Sequence, residues 1–137
     1  LRLYARSLGA ELAPAVPPGP DDFDPSVLAS LCAANPERLE RYIDAFIDSL
    51  RQAIVEIKVA IEQEDSAGVG MLGHRIKSTA SAAGATGLAD LGRALEATRA
   101  EGNLRQARDL AARLPACLEA IQRQIEAHKP AMQATRE

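Results

Sequence analysis

Tryptophan is absent from this chain and aromatic residues make up only 3% of it. Its core must therefore be built from Leu, Ile, Val and abundant Ala, the strongest helix former, which favours closely packed helices. A basic excess is also missing: 16 Lys and Arg stand against 19 Asp and Glu, a formal net charge of −3. That removes the electrostatic footprint of a nucleic-acid binder and leaves a protein as the expected partner. The two cysteines, Cys32 and Cys117, form no C-x-x-C pair, so metal or redox chemistry has little support and two buried thiols in a reducing compartment are expected. No run of about 18 apolar residues and no signal peptide is visible. The expected location is cytoplasmic, without direct membrane contact.

What is present fits one globular domain: 137 residues, 47% apolar and 26% charged, enough to bury a core. The opening "LRLYARSLGAEL" has sparse apolar positions, and "PAVPPGPDD" from Pro14 to Asp22 reads as an extended linker. Because the sequence starts at Leu1 rather than Met, residues 1–22 are expected to be the tail of an upstream neighbour. The folded domain is expected over 23–128, with a C-terminal tail over 129–137.

Helical signals then follow in series. Asp24 is placed to cap a short helix with Pro25 at its first position, and Asn35 and Pro36 repeat that signal. Leu39, Tyr42, Ile43, Phe46, Ile47, Leu50, Ile54, Ile57 and Ile61 recur at helical spacing, predicting one long amphipathic helix to about Glu64, roughly 40 Å in length. "EDSAG" turns the chain into a helix that ends near Gly84. Thr86 is expected to cap the next, whose inner stripe is Leu88, Leu91 and Leu95. Asn103 starts the last helix, with Leu104, Ala107, Leu110, Ala111, Leu114, Leu118, Ile121 and Ile125 inward and a kink expected at Pro115. Short connections between long helices make neighbours antiparallel. The predicted fold is all-α: an antiparallel up-down four-helix bundle with a short additional N-terminal helix and a monomeric state. No strand pattern or internal repeat is present.

The segment "GHRIKSTASAAGATGLADLGRALE" holds the chemistry. On a helical wheel of about 100° per residue, Leu72, Ile76 and Ala83 oppose His74, with Val69, Thr79 and Ala80 beside them. Gly70, Met71, Lys77, Ser78 and Ser81 fall within about 60° of His74. The imidazole is therefore expected in solvent, one turn from a lysine and among small residues that admit a second protein's active site. An unperturbed imidazole titrates near pH 6.5, so much of it is a neutral nucleophile at pH 7. Lys77 has the charge to hold phosphoryl oxygens, and Ser78 or Ser81 can donate to them. An exposed His one turn from a Lys also arises with no role, and the wheel alone leaves both readings open.

Other chemistries find less. His128 is remote in sequence, and no His or Cys lies three or four residues from His74 to complete a metal pair. Ser78, Thr79 and Ser81 lack a G-x-S-x-G elbow. Glu62, Glu64 and Asp65 sit at a helix junction, where such charges cap and solvate. Gly68, Gly70 and Gly73 follow no strand, so no nucleotide loop is credible.

Gly73-His74-Arg75-Ile76-Lys77-Ser78, then Gly84-Ala85-Thr86-Gly87-Leu88, then Leu95-Glu96 resembles the pattern A-H-x-L-K-G, G-A-x-x-L, L-E of the histidine-containing phosphotransfer (HPt) domains of two-component phosphorelays. The likeness runs from about Phe23 to Ala127. Ser78 stands where the family usually has Gly, and Gly73 where it usually has Ala; both are small. The resemblance implies that His74 accepts a phosphoryl group from a receiver-domain aspartate and passes it to another, with Lys77 stabilising the phosphoryl oxygens. Gly70, Met71, Gly73, Ser78 and Ser81 would then meet the partner, and Gly84 would be structural. It implies no cofactor of the chain's own and no ATP site, with Mg²⁺ on the partner receiver. With the Pro-rich linker, it points to the C-terminal domain of a hybrid sensor kinase, tethered to a membrane-bound sensor, whose partners are the receiver domains of that kinase and of a response regulator. The alternative is a helical bundle that binds a receiver or partner helix without being phosphorylated.

Overall fold

The computed structural model describes residues 22–32 and 35–134; the opening segment and most of the Pro-rich stretch lie outside them. Among the described residues there are six helices and no strand: α1 (Pro25–Cys32), α2 (Pro36–Glu62), α3 (Ser66–Ala82), α4 (Thr86–Glu101), α5 (Leu104–Ala111) and α6 (Leu114–Ala134). Helices α2, α3, α4 and the α5–α6 pair form the four-helix bundle, and α1 packs on α2 and α6. Four starts are capped as their residue types require, α1 by Asp24, which accepts from the Ser26 N–H at 3.0 Å. Asn35, Asp65 and Asn103 accept from the backbone N–H of Arg38, Gly68 and Gln106 at 3.0, 2.9 and 3.0 Å, satisfying donors that have no partner within the helix.

The apolar stripes read from the sequence form the core. Leu28, Leu50, Ile57, Val69, Ile76, Leu88, Leu95, Leu114, Ile121 and Ile125 are almost wholly buried, and Cys117 is a buried thiol. Tyr42 is half-buried at the edge. The side chain of Cys32 lies outside the described residues.

Three expectations are corrected. Thr86 does not cap α4; it is the first helical residue, and Ala85 before it makes no side-chain cap. The backbone ahead of α1 lies across this corner instead: the Asp24 N–H donates to the Gly84 carbonyl at 2.8 Å and the Gly87 N–H to the Asp22 carbonyl at 3.2 Å. Gly84 permits this, since its φ is +83° and a Cβ there would meet the Asp24 oxygen at 2.6 Å. The last helix is not kinked but broken, with a turn at Ala112 and Arg113. Pro115 provides no N–H for the carbonyl four residues back and its ring would collide with it, and α5 ends at that residue, Ala111. Finally, no tail begins at 129. Helix α6 runs on to Ala134, and Lys129 Nζ reaches Glu40 of α2 at 2.7 Å.

The most intimate packing is between α3 and α4. A Cβ at Gly73 would lie 2.6 Å from the Glu96 nitrogen and 2.9 Å from the Gly92 oxygen, and one at Gly92 would lie 2.6 Å from the Lys77 nitrogen. Backbone meets backbone there, and rigid neighbours of that kind have nowhere to move. Gly92→Ala should therefore destabilise the domain by roughly 1–3 kcal/mol through overpacking, although Ala is about 1 kcal/mol the better helix former. A melting temperature at or above the parent's would show that the helices are not in backbone contact.

Candidate functional site

His74 projects from α3 with 59% of its side chain exposed, on the face opposite the buried Leu72 and Ile76. Its Nδ1 lies 3.0 Å from Glu96 Oε2 on α4. The other carboxylate oxygen, Oε1, lies 2.9 Å from Lys77 Nζ, whose side chain is 28% exposed. One carboxylate thus holds both the histidine and the lysine of the sequence motif. The α3–α4 turn makes this pairing: His74 and Glu96 are equidistant from Ala85, so an antiparallel hairpin brings them level, and Gly73 and Gly92 let the helices close.

The hydrogen bond from Lys77 is the main cause holding the Glu96 carboxyl below its ordinary value of 4.5; desolvation opposes it, and the His74 bond adds a smaller lowering. Glu96 is consequently a carboxylate at neutral pH, and a carboxylate only accepts hydrogen bonds. The proton on the ring is therefore assigned to Nδ1, which leaves the Nε2 lone pair of the neutral imidazole directed outward. This is the geometry of an oriented nucleophile: one ring nitrogen fixed by a second residue, the other open to an incoming electrophile.

The remaining sequence candidates divide. Met71 is 68% exposed, and Ser78 and Ser81 are exposed as expected. Gly70 and Gly73 are buried, which corrects their placement on a partner-facing surface. Gly73 serves the contact with α4, and Gly70 is covered by the side chain of Arg99, whose Cδ would lie 2.6 Å from a Cβ at that position. Sequence reasoning gave no role to Glu96 or Arg99. It also passed over Val55 and Val59, exposed on α2 at 62% and 45% in the stretch that Glu56 ties to Arg75 at 3.6 Å. The signal for Glu96 was the Leu-Glu pair at hairpin register; Arg99 had none. Among the described residues, no group of three or more His, Cys, Asp or Glu is placed to hold a metal ion, and no helix is long and apolar enough to cross a membrane.

The Hpt domain family model matches residues 41–124, a span that contains His74, Lys77, Gly84 and Glu96. A search of curated proteins finds no match. Among solved structures, the chain is similar in fold to histidine-containing phosphotransfer protein B (HptB) from Pseudomonas aeruginosa PAO1, with a TM-score of 0.58 and 23% identity over 84% of this chain and 94% of that one.

The lowered acidity of Glu96 sets a pH window. A carboxylate whose folded value lies below its unfolded one stabilises the fold above the unfolded value, and that contribution is lost as pH falls through the folded value. The clamp on His74 and Lys77 should hold from about pH 5 upward and dissolve on acidification below the ordinary glutamate range. Glu96→Gln removes the titrating group, so its melting temperature should fall less steeply than the parent's between about pH 5 and 3. Parallel curves would show that Glu96 carries no such linkage.

Proposed function

The chain belongs to the Hpt domain family, whose members relay phosphoryl groups through a histidine, and we propose that Nε2 of His74 is the atom that carries the group here. The observation that supports this most is the bond from His74 Nδ1 to Glu96, which leaves Nε2 free and exposed. In the forward step the Nε2 lone pair attacks the phosphorus of an aspartyl phosphate on a receiver domain. The N–P bond forms as the P–O bond to the aspartate breaks, and the aspartate leaves as a carboxylate. No proton has to move. The ring becomes a phosphoimidazolium that keeps its Nδ1 proton, and Glu96, already bonded to it, stabilises the developing positive charge. Transfer onward to a second receiver reverses these bonds.

The partners in this reading are the receiver domain of the same kinase and that of a response regulator, with Mg²⁺ held by the receiver. Support for a neighbouring kinase is the Pro-rich stretch from Pro14 to Asp22. Exposed Met71, one turn before His74, together with Val55 and Val59, gives a receiver an apolar landing surface around the nucleophile. Lys77 enters differently from a free cation: its ammonium is engaged by Glu96, so it orients that carboxylate and, through it, the ring.

His74→Gln should melt like the parent, since exposed substitutions usually shift stability by about 0.5 kcal/mol or less, and should take no acid-labile label from a phosphorylated receiver. Normal labelling of a folded His74→Gln chain would remove His74 from this role. Lys77→Ala should slow single-turnover transfer about tenfold rather than abolish it, the loss of one charge-assisted contact at a partly exposed site. An unchanged rate would leave Lys77 a bystander.

A further inference from the structure

The three cations around His74 are not equivalent. Lys77 is bound to Glu96 at 2.9 Å and Arg75 to Glu56 at 3.6 Å. Arg99, one turn beyond Glu96 on α4, is exposed and has no carboxylate partner among the described residues. Its aliphatic stem does not project away from the bundle but lies across α3 at Gly70, where an added Cβ would meet Arg99 Cδ at 2.6 Å, Cβ at 2.8 Å and Cγ at 3.1 Å. Only a residue without a side chain leaves room for the stem at that point, so Gly70 acts as its seat.

Gly70 precedes His74 by one helical turn, and residues so spaced share a face about 5–6 Å apart. Side chains on an α-helix lean toward its N-terminus, so the His74 ring leans over the turn that Gly70 occupies. Glu96 holds Nδ1, which leaves Nε2 as the ring nitrogen able to carry a phosphoryl group over that turn. A phosphoryl group on that nitrogen brings a charge of about −1.5 to −2, beside Glu96, which is already ionised. Lys77 already offsets the Glu96 carboxylate, so its single charge is shared between that group and any phosphoryl group that arrives. A planar guanidinium with no other partner suits phosphoryl oxygens.

We infer that Arg99 is the phosphoryl-binding cation of this site, donating to the oxygens of the group carried on Nε2 of His74, whereas Lys77 acts through Glu96. This rests on the reading of His74 as the phosphorylated residue. The group-transfer step is unchanged by it; Arg99 adds hydrogen bonds to the non-bridging oxygens, and no further bond is made or broken.

The test loads the protein with phosphoramidate, a small phosphodonor that needs no partner, and follows the phosphohistidine by ³¹P NMR through a pH titration, then measures transfer to a receiver. In Arg99→Gln the phosphoryl group should titrate at higher pH than in the parent, because a neighbouring cation favours the dianion. Transfer should slow by about tenfold, Arg99→Lys should recover part of both effects, and the melting temperature should stay put. Unchanged titration and rate in Arg99→Gln would overturn the inference while leaving His74 in place. A slower rate with unchanged titration would also overturn it, since Arg99 would then contact the receiver and not the phosphoryl group. A folded parent chain that takes no label would overturn the His74 reading and this one with it.

Discussion

Everything at the site depends on how closely α3 and α4 approach. Two glycines, Gly73 and Gly92, stand where a Cβ would fall within 3 Å of the opposite backbone, and at that separation a side chain on α4 reaches one on α3 without stretching. Glu96 can then bond His74 and Lys77 at 3.0 and 2.9 Å together. With ordinary residues at the two positions the axes would sit at the usual 8–10 Å or more, and a single carboxylate would have difficulty serving both. The glycines are unfavourable for each helix taken alone, by about 1 kcal/mol apiece. The fold tolerates them because the rest of α3 and α4 buries Val69, Leu72, Ile76, Leu88, Leu91 and Leu95.

That geometry also decides how charge is shared. Glu96 has two oxygens and both are used, one on the His74 ring and one on the Lys77 ammonium. Lys77 therefore offsets a charge already inside the site, and in the proposed reading an arriving phosphoryl group adds a further demand for positive potential. The ring itself supplies part of it once Nε2 is substituted, because the Nδ1 proton stays and the imidazolium faces Glu96. The arrangement is close to neutral before transfer and gains its anion and its imidazolium in the same step, which limits the electrostatic cost of carrying a phosphoryl group on an exposed surface.

Much of the fold was legible because a bundle writes its core as a periodicity. The long stripe from Leu39 to Ile61 specified α2, and Pro36, Asp65 and Asn103 marked helix starts through the conformations they favour. The exposed position of His74 was legible too, since it stands opposite a strongly apolar arc. All but one of the misses share a physical origin, being contacts between segments distant in sequence. Thr86 looked like a cap because local propensity favours it, but the carbonyl of Asp22 satisfies the Gly87 N–H from another part of the chain. Gly70 and Gly73 looked like open surface because a wheel of α3 carries no information about α4. Glu96 lay 22 residues from its partner and was quoted only as part of a pattern. The local exception is the break before Pro115, read as a kink, where the chain instead turns at Ala112 and Arg113.

A nucleophile set on the outer face of a helix has a consequence for specificity. More than half of the His74 side chain meets solvent, so the electrostatic contacts around it are screened, and little of the barrier to phosphoryl transfer can be lowered before a partner covers it. What the bundle supplies is position: a ring held at one nitrogen by a residue on a second helix, with both helices locked by backbone contact and a buried core. In the proposed reading the receiver brings the electrophile, the cation that activates it and the surface that excludes water. In the same reading, discrimination among receivers falls to the exposed Met71 on α3 and to Val55, Val59 and the Glu56–Arg75 pair, a mixture of apolar and charged groups. A partner that matches those groups desolvates the site as it binds, so recognition and rate enhancement arise from the same contacts.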